Sequence, residues 1–170
     1  MIDRFKDEYR WLSNFHPCQI ELDGKIYPSV EHAYQASKTV YPDERDRIRE
    51  APTPGIAKKM GSAPHRTTLR MDWEDIRLIM MYNLVMQKFY FNRYLRQKLL
   101  ATGSEVLVEG NDYGDTFWGV CKGKGQNNLG VILMYVRGWL ENVRPELKGE
   151  NENIVHRRVS TRGHHLSWRR

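Results

Sequence analysis

Tyr27-Pro28-Ser29-Val30-Glu31-His32-Ala33-Tyr34-Gln35-Ala36-Ser37-Lys38 is the stretch from which the rest of the chain can be read. Ser29 has the character of a helix N-cap, since its hydroxyl can accept a free backbone N–H of the first turn, and Val30 to Lys38 follows without a breaker. On such a helix Glu31, Gln35 and Lys38 stand at i, i+4 and i+7 and share one face, while Val30, Ala33, Tyr34 and Ser37 cover the neighbouring stripe. At ~1.5 Å rise per residue Glu31 and Lys38 lie roughly 10 Å apart along the axis, too far for a direct ion pair but able to bracket a ligand. A solvated polar face on an ordinary surface helix has the same spacing. Both readings stay open at this point.

Working outward, Cys18 to Tyr27 alternates around Asp23-Gly24, with Ile20 and Leu22 before the turn and Ile26 after it, the pattern of a two-residue hairpin. Pro42, Pro52, Pro54 and Gly55 mark a loop-rich region holding a short charged helix, Asp43 to Glu50, and a second short helix from Ile56 to Gly61. The strongest helical pattern is Trp73 to Phe89. Its apolar residues populate several faces (Ile76, Met80 and Leu84, but also Ile79, Met81, Val85 and Met86), which predicts a central helix buried on most sides. Asn92 can cap the next helix, which runs to Ala101 and stops at Thr102-Gly103. Val106-Leu107-Val108 reads as a short buried strand, and a last core helix is expected over Asn128 to Asn142. The fold class is α+β, mostly helical, with few and short strands.

The chain has 170 residues and a formal charge of +6. That length suits one domain with a single sizeable core, and 40% hydrophobic with 11% aromatic residues excludes a disordered chain. The domain is expected to span 1–147, followed by a flexible basic tail over 148–170. From His156 to Arg170 there are five arginines and no acid, so Met1 to Val155 holds 22 basic against 21 acidic residues and is nearly neutral. The 156–170 segment is therefore a candidate contact for nucleic acid, with a simple solvated extension as the plainer alternative. No apolar run approaches the ~20 residues of a membrane span, and the N-terminus lacks the apolar core of a signal peptide, which points to a cytoplasmic protein without membrane partners. Cys18 and Cys121 are too few for a disulfide framework, and His16, His32 and His65 are isolated, so no metal site is expected.

Two further constellations bear on chemistry. Glu109-Gly110-Asn111-Asp112-Tyr113-Gly114-Asp115-Thr116-Phe117-Trp118-Gly119 gathers acids, glycines and aromatics directly after an apolar strand. Carboxylates there can act on protons and Trp118 or Tyr113 can stack on a flat ring, although a turn-rich loop with core aromatics and capping aspartates has the same composition. Gly119 to Gly130, with Lys122 and Lys124 ahead of a helix N-terminus, is a weak phosphate signal that matches neither the Walker nor the dinucleotide pattern.

Taken together, the motifs resemble the NADAR, or YbiA-like, family, which includes N-glycosidases. The matching pieces are Leu12-Ser13-Asn14-Phe15; Tyr27-Pro28-Ser29-Val30-Glu31-His32-Ala33-Tyr34-Gln35-Ala36-x-Lys38; Trp73-x-x-x-Arg77 with Met81 and Lys88-Phe89; Leu99-Leu100-x-Thr102-Gly103; Asp115-x-x-Trp118-Gly119; and Asn128-Leu129-Gly130 with Leu133-Met134. They occur in the family's order over about residues 5 to 140. The resemblance implies a YbiA-like single domain and, for the Glu31 face, a ligand-facing role.

It also implies hydrolysis of an N-glycosidic bond between a ribose-type sugar and a nitrogen, without metal or redox cofactor. Members are associated with phosphoribosylamino intermediates of riboflavin synthesis, and others with removal of ADP-ribose from modified bases. The implied partner is thus a nucleotide-like small molecule, phosphoribosyl or ADP-ribosyl. Residue by residue, Glu31 and Asp115 correspond to acid/base carboxylates. Lys38 corresponds to a ligand contact, with a covalent role towards an opened sugar as the alternative. Asn14, Phe15, Gln35, Trp73, Trp118, Gly119 and Asn128 correspond to substrate-binding positions. The chain departs from the family pattern between Glu109 and Asp115, where Gly-Asn-Asp-Tyr-Gly replaces a shorter Ser-Pro link. That leaves Asp112 and Asp115 as rival working acids, and the three-residue spacing to Trp118 favours Asp115. Two readings from other classes accompany the enzyme: a module that binds ADP-ribose or nucleotides without turnover, and a nucleic-acid-associated protein acting through its tail.

Overall fold

The computed structural model describes residues 1–147. The basic segment 156–170, and the nucleic-acid expectation attached to it, lie outside the described residues. Two strands, β1 (Pro17–Leu22) and β2 (Lys25–Ser29), form the antiparallel hairpin expected from the Asp23-Gly24 pair. Asp23 and Gly24 both take positive φ, 51° and 77°, the geometry a two-residue turn needs to match the strands' own twist. Ile20 faces Tyr27 across the pair, and both are buried against the core.

Ser29 ends β2 and caps α1 (Val30–Ala36) by accepting a hydrogen bond from the His32 amide at 3.3 Å. The His32 ring lies 2.7 Å from the Ser29 hydroxyl through Nδ1 and 3.0 Å from the Ala51 carbonyl through Nε2. His32 thereby fastens α1 to the chain that leaves α2 (Pro42–Arg49), a structural role and not a ligand. Every residue of α1 is buried, because β1, β2, α2, α3 (Pro54–Gly61) and α4 (Trp73–Phe91) surround it. The surface-helix reading of the opening stretch is corrected by that enclosure. The helix also stops at Ala36, two residues short of Lys38, as the Ser37 hydroxyl donates back to the Tyr34 carbonyl.

Four elements pack on α4, namely α1, β1, α5 (Arg93–Ala101) and α6 (Asn128–Leu147), so this helix is central to the domain. Its inner face is Trp73, Met81, Leu84, Val85, Lys88 and Phe89. Leu78 and Ile79 stay exposed, which corrects the expectation of burial on most sides: apolar residues off the packed stripe need not be covered. The Asn92 side chain caps α5 through the Leu95 amide at 3.0 Å, and Gly103 closes it at φ 54°. Leu129, Ile132, Leu133, Val136 and Leu140 form the buried stripe of α6, which runs beyond the expected stop at Asn142.

Val106-Leu107-Val108 does not form the expected strand. Its pairing is limited to one parallel bridge between Ile2 and Leu107, with Leu107 fully buried and Val106 half exposed. The chain instead forms two very short strands, β3 (Gly110–Asn111) and β4 (Val120–Cys121), paired in parallel with Gly110 opposite Val120. The intervening loop is held at both ends and hangs over α1. Among the described residues no helix is long and apolar enough to cross a membrane.

Candidate active site

A cavity of about 700 Å³ opens between α1, α3, the start of α4, the N-terminal segment and the Glu109–Trp118 loop. Glu31 stands in its wall and is 94% buried, since 6% of its surface remains exposed. Its amide donates to the Asn14 carbonyl at 3.1 Å, which ties the Leu12–Phe15 segment to the start of α1. Its Oε1 accepts a hydrogen bond from Gln35 Nε2 at 2.8 Å. Burial pushes the Glu31 carboxyl above the usual carboxylate range, against the Gln35 bond and the charges of Lys58 and Lys38. Two acceptor oxygens nearby, Asn14 Oδ1 and Gln35 Oε1, are shut from solvent without a protein partner. A methyl on Gly61 would drive into Gln35 Oε1, so glycine is what lets α3 come this close to α1.

Beyond the end of α1, Lys38 Nζ lies 3.4 Å from the Gly61 carbonyl and 5.6 and 5.9 Å from the Tyr34 and Trp73 ring centres. Burial lowers its pKa, with the Glu31 charge acting the other way. The wall continues in aromatic contacts: Tyr34 to Trp73 at 5.1 Å, Tyr34 to Trp118 at 5.4 Å, and Phe117 to Trp118 at 4.8 Å. The Arg77 guanidinium sits 3.7 Å from the Phe117 ring centre, which holds one positive charge at the aromatic edge of the cavity.

The acid loop separates its two aspartates. Asp112 is exposed and forms a two-pronged pair with Arg4, at 2.6 and 3.1 Å, outside the cavity. Asp115 lines the cavity, and its Oδ1 accepts from the amides of Phe117 and Trp118 at 3.2 and 2.8 Å. Asn111 braces the same turn, accepting from the Asp115 amide and donating to its carbonyl at 2.7 Å.

Most of the expected residues converge here: Glu31, Lys38, Asp115, Asn14, Phe15, Gln35, Trp73 and Trp118 all line the cavity. Gly119 and Asn128 do not. Gly119 is a packing position, where a Cβ would strike the Glu109 carbonyl and lie 2.9 Å from Asn111 Nδ2. Asn128 Nδ2 donates to the Phe117 carbonyl and to Gln126 Oε1, both at 2.9 Å, and so holds the loop from behind. Lys122 and Lys124 are likewise outside the cavity, because Lys122 takes a positive φ of 49° in a tight turn closed by the Cys121 and Lys124 backbones. The cations that line it come from elsewhere: Lys6, Arg10, Lys38, Lys58 and Arg77.

Glu109 stands among the acids of the loop in the sequence reading but is not singled out there as a site residue. It lines the cavity, its Oε2 is shut from solvent without a partner, and burial, then the Asp115 charge, push its carboxyl up to about 7. The available signal was its place at the end of the apolar Val106–Val108 run, where an inward-facing charge is unusual. Lys58 carried no such signal, since α3 contributes it from a distant part of the chain. Among the described residues no three His, Cys, Asp or Glu side chains are grouped to hold a metal ion.

Comparison with known proteins identifies the family and the fold. The NADAR domain model matches residues 2–141. N-glycosidase YbiA of Escherichia coli is 38% identical over 132 residues, which covers 77% of this chain and 81% of that protein. N-glycosidase Npun_R5314 of Nostoc punctiforme is 38% identical over 139 residues, covering 79% and 88%. Riboflavin biosynthesis protein VVA0006 of Vibrio vulnificus is 38% identical over 140 residues, 82% of this chain but only 38% of the longer protein. The solution structure of E. coli YbiA superposes with a TM-score of 0.74 at 34% identity, covering 90% of this chain and 93% of that one.

Proposed function

This chain belongs to the NADAR family, and from that premise we propose that it is a hydrolase that cleaves the C–N bond between a ribosyl group and a nitrogen base. The observation that carries the reading is Glu31: a carboxyl buried in the wall of a large cavity that Asp115 and several cations also line. An isolated buried carboxylate is costly to keep, so its retention in a cavity wall speaks for chemistry more than for stability. Relatives named N-glycosidase and riboflavin biosynthesis protein support the same class.

The geometry suits the reaction. As the C–N bond stretches, positive charge builds on the anomeric carbon and ring oxygen, and a fixed anion stabilises it. Asp115 suits that task, since two backbone amides fix its carboxyl group in the cavity wall. Glu31 takes the proton of the attacking water, oriented by Gln35. Each well-placed proton transfer contributes on the order of 10²–10⁴ in rate. Trp73, Tyr34 and Trp118 offer faces and edges for a flat base, while Lys38, Lys58 and Arg77 offer charge to phosphate oxygens.

A substrate with a phosphoribosyl or ADP-ribosyl group on nitrogen fits this combination of cations and aromatics. Incubation of the full chain with a phosphoribosylamino-pyrimidine and with an ADP-ribosylated nucleobase, followed by chromatography, tests it. Release of ribose phosphate or ADP-ribose is expected. Binding of either compound without turnover makes the chain a recognition module instead. Borohydride added during turnover examines Lys38: trapping of sugar on the protein assigns it a covalent role, and no trapping leaves it an electrostatic one.

A further inference from the structure

We propose that Glu109, and not Asp115, is the acid that protonates the departing nitrogen, with Asp115 retained as the fixed anion beside the sugar; this assignment rests on the N-glycosidase reading. The two carboxyls line the same cavity and differ in what already holds them. Asp115 Oδ1 is already committed to two backbone amides, which pin that carboxyl within its own turn. Glu109 Oε2 has neither a partner nor solvent. A carboxyl in that position is far better tolerated with its proton than without it.

The backbone aims the side chain. The Glu109 amide donates to Asn127 Oδ1 at 3.0 Å and its carbonyl accepts from the Val120 amide at 2.9 Å, so the residue is fixed from both sides. Gly119 leaves the space that the side chain occupies, as a Cβ there would lie 3.1 Å from Glu109 Cγ. The charges facing Glu109 are Asp115 and Glu31, which favour the protonated form, and Lys58 and Lys6, which oppose it. Tyr113 and Lys88 also feel its charge.

The step balances simply. Glu109 gives its proton to the nitrogen as the C–N electron pair moves onto that nitrogen, and the free amine or base departs. Water adds its oxygen to the anomeric carbon and gives a proton to Glu31. Return of that proton to Glu109 through solvent restores the enzyme, and the net change is addition of one water across one C–N bond.

A general acid matters in proportion to how badly the leaving group needs a proton, which separates this role from a structural one. The test compares wild type, Glu109→Gln, Asp115→Asn and Glu31→Gln on a phosphoribosylamino-pyrimidine and on 4-nitrophenyl riboside 5-phosphate, whose phenolate leaves unprotonated. Glu109→Gln is expected to lose about 100-fold or more in kcat on the amine substrate and no more than a few-fold on the nitrophenyl one. Wild-type activity is expected to fall above neutral pH, and Glu109→Gln should lose that fall. Asp115→Asn and Glu31→Gln should lose activity on both. If Glu109→Gln proves unstable, Glu109→Ala replaces it, with recovery of amine cleavage by added formate as the supporting result. Equal loss on both substrates, an unchanged pH profile, or no formate recovery overturns the assignment while leaving the N-glycosidase reading intact. Failure of wild type to cleave either of these compounds or an ADP-ribosylated nucleobase overturns that reading, and the assignment falls with it.

Discussion

Replacing Lys88 by methionine should leave the protein folded and remove a pH dependence of its stability. Lys88 is 1% exposed on the inner face of α4, and its Nζ donates to the Ser13 carbonyl at 2.8 Å and the Leu12 carbonyl at 3.4 Å. Burial pulls its pKa from the ordinary 10.5 down to about 8. The folded chain therefore gives up this proton near pH 8, whereas the unfolded chain keeps it to about 10.5. Between those values unfolding takes up a proton, so stability rises with pH. At about 1.4 kcal/mol per pH unit, the gain is about 3 kcal/mol across that window.

Methionine fills similar volume without charge. At pH 7 it relieves about 3 kcal/mol of charge burial and leaves two carbonyls without their donor, at roughly 1–3 kcal/mol each. These oppose each other, so stability at pH 7 should stay within about 3 kcal/mol of wild type. Urea unfolding followed by tryptophan fluorescence at pH 7, 8, 9 and 10 measures both proteins. Wild type should gain on Lys88→Met by about 3 kcal/mol from pH 8 to 10.5, most of it already present at pH 10. Parallel pH dependences would show that the Lys88 charge is not held at a cost in the folded state. Because the same two carbonyls carry Asn14 into the cavity, Lys88→Met should also raise KM more than it lowers kcat.

Glu31→Gln should lower turnover by about 10²–10⁴ while the melting temperature holds or rises, since a neutral amide in the same space avoids burying charge. A melting temperature that falls together with activity would give Glu31 a structural role instead. Gly119→Ala should cost about 1–3 kcal/mol in urea unfolding, because its methyl meets backbone at Glu109 that cannot swing aside; unchanged stability would mean that the loop is looser than its hydrogen bonds suggest. Asp112→Asn breaks an exposed pair with Arg4 away from the cavity and should change neither melting temperature nor turnover, whereas Asp115→Asn should abolish most turnover. Equal effects of the two substitutions would restore Asp112 as a rival acid.

Local signals were read correctly where neighbours in sequence decide the structure. Asp23-Gly24 specifies its turn through backbone conformation alone, Ser29 and Asn92 cap the helices they precede, and Gly103 closes α5. Each of these depends on contacts within a few residues. The Val106–Val108 run misled because a strand needs a partner, and its partner segment at Ile2 supplies one bridge only. The Leu78 and Ile79 face of α4 misled because periodicity records apolar residues and not what covers them.

The candidate site divides along the same line. The sequence by itself placed Glu31 and Gln35 on one helical face, and its ordered motifs pointed to one family. Tertiary structure decided what those residues mean. Enclosure by five elements turns the Glu31 face from a possible surface into a buried wall. The pairing of β3 with β4 folds the acid loop over that wall, sends Asp112 out to Arg4 and keeps Asp115 inside. It also brings Glu109 and Lys58 together across 51 positions of the sequence, a proximity no local pattern encodes. A carboxyl's character depends on desolvation and on which charges face it, and both are properties of the packed chain.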